Sequence, residues 1–389
     1  MQMKEKNEFM KEAIRLAKDN VHNGLGGPFG CVIVKDGQII AKGSNLVTSS
    51  NDPTAHSEVV AIREACKKLG HFQLSLIEPG SNRKITRRDE FLKKVSKAIP
   101  WELFLRVISV KYEIKSIGRP KTDLKLMLGI MILQYLYNLS DSGMEDAIHD
   151  SFSFQSFLGL NPSTNSVPDE TTILNFRHFL EEHKLQEKLF NEINAELIRQ
   201  GYLLERASIV DATLIKAPSS TKNKTHSRDP EMSSTKKGNN YHFGMKSHIG
   251  IDAESGLVHS LVGTTAKVSD IEIMPKLLHG KEKAILGDKG YFSDELKREA
   301  RSKGLFWGVL DKRKRRNKVT QSLSRKQEKR NKQLSSIRAK VEHPFQVIKH
   351  WWGNSKVRYK GIEKNIQRWY GLMGLFNCWK IRDRGFVVA

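Results

Sequence analysis

The sequence predicts an α/β protein: a mixed sheet with helices on its faces fills the C-terminal half, preceded by an all-α stretch and a short α/β segment. Three observations carry this. Strand-like apolar runs alternate with helical periods after Gly201, residues 99–200 are helical in period, and residues 1–74 read helix, strand, strand, helix.

Residues 4–22 carry Phe9, Ile14, Leu16 and Ala17 at helical spacing, and Asn23-Gly-Leu-Gly-Gly27 breaks that helix. Strands follow at Cys31–Val34 and Ile39–Ala41 around a turn at Lys35–Gln38, and a helix opens near Pro53 and runs to about Gly70. Two strands without further neighbours leave an open sheet edge, so this segment is expected to be marginally stable. Residues 75–98, with mixed charges and Glu78-Pro-Gly-Ser, read as a junction. From Ile99 the pattern is helical, with a long apolar helix at Leu124–Leu139, another stretch at Met144–Phe157, and a capped start at Pro168-Asp-Glu-Thr-Thr172 for Ile173–Leu180. Residues 141–180 fit either a helix-turn-helix or plain bundle packing. Beyond Gly201 come strands at 208–215, 241–252 and 257–263, a helix at 271–278, a strand ending at Asp288, a helix at 293–302, a strand at 305–310 and a long helix at 324–352. That order is the order of a ribonuclease-H-like fold, here spanning residues 201–355. Residues 356–389 read as a C-terminal tail.

Charge narrows the class of partner. The chain has 66 Lys and Arg against 43 Asp and Glu, a formal +23, and such an excess seeks a polyanion, nucleic acid first. Residues 1–74 hold ten basic and eight acidic side chains, so +21 of the total rests on the remainder. Cys31, Cys66 and Cys378 are too few for a disulfide scaffold or a four-cysteine zinc module. A reducing cytoplasm is the expected location. No apolar run reaches membrane length and Met-Gln-Met-Lys-Glu-Lys lacks a signal-peptide core, so no membrane partner is expected.

Three carboxylates need a reason for where they sit. Asp211 interrupts the apolar run Ala207–Ile215, and Asp288 ends Ala284-Ile-Leu-Gly-Asp288, places where a bare carboxylate is costly unless paired or bound to metal. Glu342 stands in Arg338-x3-Glu342-x6-Lys349, and at about 100° per residue all three share one helix face. A carboxylate flanked by cations serves a divalent metal and phosphate oxygens respectively. The run Lys312, Arg313, Lys314, Arg315 and Arg316 is either a grip on DNA backbone or a solvated loop. Trp351 and Trp352 either stack on flipped bases or pack in the core.

From about residue 85 to 389 these motifs make the chain resemble the insertion-sequence-five family of DDE transposases. The matching stretches are Pro168-Asp-Glu-Thr-Thr-Ile173, Ile209-Val-Asp211, Ala217-Pro-Ser-Ser-Thr-Lys-Asn-Lys224, Arg228-Asp-Pro-Glu-Met232, Phe243-Gly-Met-Lys246-Ser-His248, Gly287-Asp288-Lys-Gly-Tyr291 and Ala339-Lys-Val-Glu342-His-Pro-Phe345. The resemblance implies Asp211, Asp288 and Glu342 as catalytic acids holding Mg²⁺ or Mn²⁺ in a two-metal site. It also implies cleavage at element ends, strand transfer into target DNA, and a homo-oligomer that joins two ends. Arg338, Lys349, Lys246 and His248 join the basic run as DNA-binding candidates. Ser335 stands where relatives carry tyrosine, and Lys289 where a small residue is usual. The alternative is a catalytically silent DNA-binding protein, a repressor or a domesticated element. Residues 1–74 resemble the first part of a guanine deaminase of the cytidine-deaminase-like superfamily, through Gly27-Pro-Phe-Gly-Cys31, Asn45 and His56-x-Glu58. There the histidine binds zinc and the glutamate moves protons, but two further thiolates come from a Pro-Cys-x-x-Cys that this chain lacks. His56 and Glu58 are therefore read as relics of a truncated, inactive fragment, with no zinc expected. Insertion of a mobile element into a deaminase gene explains such a fusion, and no methionine lies between Met10 and Met127 to start the second part separately.

Overall fold

A computed structural model describes residues 2–35, 37–69, 84–112, 121–161, 165–222, 226–313, 315–316, 319–320 and 322–384. The chain divides into two compact units, Met1–Ile85 and Thr86–Ala389.

In the first unit a two-stranded antiparallel hairpin, β1 (Gly30–Lys35) and β2 (Gln38–Ser44), packs against α1 (Gln2–His22) and α3 (Ser57–Leu69), with a single turn, α2 (Val47–Ser50), between. The close approach depends on two glycines. A Cβ on Gly30 would meet the Ala13 carbonyl at 2.3 Å, and one on Gly43 the Ser57 carbonyl at 2.2 Å. Asn20 ties the end of α1 to the hairpin, donating to the carbonyls of Gly27 (3.0 Å) and Asn45 (2.8 Å). Met10 and Phe29 remain 61% and 58% exposed, which is much apolar surface for so small a unit.

The second unit opens with seven helices: α4 (Arg87–Ala98), α5 (Trp101–Ser109), α6 (Leu124–Tyr137), α7 (Asp141–Asp150), α8 (Phe152–Leu158), α9 (Glu170–Glu182) and α10 (Leu185–Arg199). The first of them corrects the expected junction at 75–98, of which 75–83 lie outside the described residues. Thr86 and Asp89 form a reciprocal cap and Leu92, Val95 and Ala98 are buried, a narrow stripe that the surrounding charges concealed. At α9 the carboxylate of Asp169 accepts from the Thr172 N–H at 2.7 Å, so the helix starts where its cap residues predict. Ile173, Phe176 and Leu180 go into the core, and Arg177 is held by Asp141 (3.0 Å) and Glu181 (2.9 Å). This face of α9 packs within the bundle.

The sheet follows: β3 (Ala207–Lys216), β4 (Ser233–Lys237), β5 (Asn240–Asp252), β6 (Val258–Thr265), β7 (Ala284–Gly287) and β8 (Phe306–Val309). In space the strands run β6, β5, β3, β7, β8, with β5 antiparallel to both its neighbours and β3, β7 and β8 mutually parallel. This is the ribonuclease-H-like arrangement. The edge strand β4, which pairs with the first residues of β5, is an addition to the expected order. Helices α11 (Asp270–Leu277) and α12 (Asp294–Ser302) contribute, with Val210, Ile285 and Trp307, to one core cluster. Ile209, Ile215 and Leu286 belong to the other, larger core, which continues into the helical bundle.

The long helix expected at 324–352 is not uniform. It runs as α13 (Arg325–Arg338), a 3-10 turn at Ala339–Val341, α14 (Glu342–Gln346) and a π turn at Val347–Trp351. Pro344 has no N–H to give to the carbonyl four residues back, which removes the regular bond at this point. The expected tail is also corrected. After Gly361 comes α15 (Ile362–Lys380), a helix buried along most of its length between α10 and β6.

Candidate active site

Register brings the first two acids together. β3 and β7 are parallel with Ile209 opposite Leu286, so Asp211 and Asp288 lie two residues further along adjacent strands, which are separated by about 4.8 Å. The carboxyl ends of parallel strands are where open α/β sheets bind their ligands. Asp288 leaves the strand into a 3-10 turn, Lys289–Tyr291, and its Oδ1 accepts from the Gly290 N–H at 2.7 Å. A Cβ at Gly290 would stand 2.9 Å from that oxygen, so a larger residue there would push the Asp288 carboxylate out of this position.

Asp211 shares a strand face with Thr213, by alternation. Its Oδ1 accepts from the Ala212 N–H at 2.8 Å and its Oδ2 from Arg338 Nη1 at 3.0 Å. Glu342 completes the group from the start of α14, where its Oε1 accepts from Arg338 Nη2 at 3.0 Å. One guanidinium thus spans the first and third acids. Burial pushes the Asp211 carboxyl up to about 6, the charge of Asp288 adds to the rise, and the Ala212 N–H and Arg338 pull the other way.

Lys349 also reaches β3, donating to Thr213 Oγ1 and to the Leu214 carbonyl, both at 3.0 Å. Arg338, Glu342 and Lys349 therefore serve one face, as their spacing suggests, although the 3-10 and π turns intervene. Trp351 is exposed, with its ring 6.3 Å from that of His343, while Trp352 is buried in the core.

Lys246 and His248 lie apart from the acids. They sit opposite Leu214 and Ala212 on β5, and cross-strand partners share a face, so both lie on the face opposite Asp211. Lys246 Nζ is taken up by the Val268 carbonyl (2.8 Å) and Asp270 Oδ1 (2.9 Å). His248 is fully buried, its Nε2 is 2.8 Å from Thr264 Oγ1, and burial pushes it down to about 4. Of the basic run, Lys312 and Arg313 are exposed, Lys314 lies outside the described residues, and Arg315–Arg316 form a strand, β9, paired with β10 (Val319–Thr320). In the first unit His56 and Glu58 are exposed at the start of α3, where Glu58 Oε2 accepts from Ser57 Oγ at 2.8 Å. Its own backbone N–H and that hydroxyl hold the Glu58 carboxyl below the usual range.

Tyr291, the last residue of the Gly287–Tyr291 motif, adds a buried polar group that the sequence does not single out. It is fully buried, its hydroxyl has no partner, and the charges of Asp211, Asp270 and Asp288 join burial in raising its pKa. A buried hydroxyl without a partner is a place where a polar ligand or ordered water would fit. Among the described residues no three His, Cys, Asp or Glu side chains are gathered closely enough to hold a metal as they stand. The donors nonetheless suit one. They are hard carboxylate oxygens, and a cation, the Arg338 guanidinium, already stands between two of them.

Residues 203–378 match the transposase DDE domain, residues 81–179 match a further transposase domain, and residues 3–79 match the zinc-binding region of cytidine and deoxycytidylate deaminases. The crystal structure of guanine deaminase from Bacillus subtilis is 65% identical over a segment covering 18% of this chain and 43% of that one, with a TM-score of 0.17. The chain thus spans less than half the length of that enzyme. A piggyBac transposase synaptic complex with hairpin DNA is 12% identical over 78% of this chain and 76% of its own (TM-score 0.36). A Mos1 strand transfer complex is 11% identical over 71% and 100% (TM-score 0.17). No described helix is long and apolar enough to cross a membrane. The chain thus carries a transposase DDE domain at residues 203–378 and a further transposase domain at 81–179, behind a cytidine-deaminase-like region at 3–79.

Proposed function

We propose that the protein cuts DNA at the ends of a mobile element and joins the freed 3′ ends to target DNA, using Asp211, Asp288 and Glu342 to hold Mg²⁺ or Mn²⁺. Two observations support this reading: strand register sets Asp211 and Asp288 at neighbouring strand ends, and one Arg338 side chain joins Asp211 to Glu342 at the start of α14. Divalent metal at such carboxylates supplies Lewis acidity for water or a 3′-hydroxyl and neutralises charge on the phosphate. Asp211 is fixed by the rigid centre of the sheet, and Asp288 by its own turn. Glu342, more than half exposed on α14, is the acid freest to adjust. Lys349, which donates to β3 on the same face, is a candidate to meet phosphate, and the exposed Lys312 and Arg313 add positive charge that makes binding steeply salt-dependent.

The deaminase-like region does no deamination in this reading. His56 is one zinc ligand of the three such a centre needs, because the chain has no Cys-x-x-Cys. Partners are duplex DNA, both element ends and target, and further copies of the chain that bring two ends together.

The test is cleavage of a duplex carrying the terminal sequence that flanks the gene, with Mg²⁺ or Mn²⁺, by wild type and Asp211→Asn. Wild type is expected to release a 3′-hydroxyl end at least a hundredfold faster than the variant, on the order of what one electrostatic catalytic group contributes. Equal rates would leave the silent DNA-binding protein as the better description.

A further inference from the structure

Arg338 binds both carboxylates with one planar group, Nη1 to Asp211 Oδ2 and Nη2 to Glu342 Oε1, each at 3.0 Å. Those oxygens are the ones a divalent ion needs, and a carboxylate oxygen pointed at a guanidinium is not available to a metal. The contact has a physical cause. Asp211 lies beside Asp288 by strand register, Glu342 enters the same place, and without an intervening cation the three negative charges repel. Movement of the long, flexible arginine side chain is enough to undo the bridge. The Glu342 half of the bridge faces solvent, with that side chain 64% exposed against 19% for Asp211, and Arg338 is the last residue of α13, next to the 3-10 turn.

We propose that Arg338 is a positioning residue that stands in for the metal: it holds Asp211 and Glu342 together in the DNA-free protein and leaves them for a phosphate when DNA arrives. The proposal rests on the reading of these acids as metal ligands. Arg338 competes with divalent ions while no DNA is present, and DNA phosphate offers the guanidinium another partner, so DNA and metal tighten each other's binding reciprocally. The arrangement keeps the nuclease from loading metal away from its substrate.

Mn²⁺ binding to the full chain, followed by electron paramagnetic resonance with and without the element-end duplex, tests this in wild type and in Arg338→Gln. Without DNA the variant is expected to bind Mn²⁺ tighter by on the order of tenfold, the worth of a charge-assisted pair lost to competition. The duplex should tighten Mn²⁺ binding by wild type and leave the variant nearly unchanged. Unchanged or weaker Mn²⁺ binding by a folded Arg338→Gln overturns the proposal, because Arg338 would then only orient Glu342. If that variant does not fold, Arg338→Lys carries the test. A lysine cannot fork across two carboxylates, so it should move affinity in the same direction, and no movement counts against the idea. Asp211→Asn separates the two levels. Mn²⁺ binding that survives in it unaltered defeats the metal-ligand reading itself, whatever Arg338 does.

Discussion

At the scale of single residues, the acids were visible in the sequence because a carboxylate in an apolar strand demands a partner, while the roles of Lys246 and His248 were not. Their partner, Asp270, comes from α11, more than twenty residues away, and only the cross-strand register shows that they lie opposite the acid face. A second buried polar group was also hidden. Ser208 Oγ lies 3.1 Å from His259 Nε2, 3.4 Å from His279 Nε2 and 3.1 Å from Glu282 Oε1, joining the start of β3 to β6 and to the turn before β7. Burial, with the charge of His279, pushes His259 down to about 4, so it is neutral in the fold and takes up a proton near 6.5 once unfolded. Between those values the unfolded chain binds the extra proton. Stability therefore falls as pH drops from about 6.5 toward 4. Asp211, whose carboxyl is raised to about 6, works in the opposite sense over part of the same window, so the informative quantity is a difference. Chemical denaturation of His259→Gln between pH 4 and 7 should show a shallower loss than wild type, by about 2 kcal/mol at the acid end. Parallel curves would mean that His259 is not held neutral.

At the scale of elements, strands and helices with an apolar stripe were legible, and those whose faces are polar were not. Strand β4 is Ser-Ser-Thr-Lys-Lys, without the alternation that marks a half-buried strand, and only pairing with β5 makes it one. Helix α15 was missed for the opposite reason. Its buried residues include Asn365, Gln367, Arg368 and Asn377, so no solvent-facing polar side shows in the pattern. Those polar groups hold it in place. Arg368 donates to the Gln134 carbonyl (3.2 Å) and Asn354 Oδ1 (2.8 Å). Asn377 accepts from the Val258 N–H (2.9 Å) and donates to the Val258 carbonyl (2.7 Å) and Asn194 Oδ1 (2.9 Å), pinning α15 to both β6 and α10. Asn377→Leu keeps the volume but strands the Val258 peptide groups and Asn194 away from water. The cost should be about 3 kcal/mol or more, read as a lower midpoint in urea without a change in slope. A loss under about 0.5 kcal/mol would show that the site relaxes to admit water.

At the scale of the whole molecule, composition and charge placed the DNA-facing part after residue 74, and the family comparisons and the compact unit beginning at Thr86 agree on where the transposase part lies. The physical contrast between the units is large. The second has one extended core joining bundle, sheet and α15, whereas the first has a two-stranded sheet and leaves Met10, Ile14, Val21, Leu25 and Phe29 between 45% and 61% exposed. A hairpin with two helices buries too little apolar surface to offset its chain entropy by a wide margin, and among the described residues no further strand pairs with its edge. The first unit should therefore melt on its own. Scanning calorimetry of the full chain is expected to show a small transition below the main one, and deletion of residues 2–80 should abolish the small transition, shift the main one by less than about 2 °C and lower binding of a dye for exposed apolar surface. The truncated protein should keep its metal-dependent cleavage, since every acid and cation argued for the site lies beyond Thr86. A single transition that the deletion lowers would mean instead that the deaminase-like region has become part of the transposase's stability.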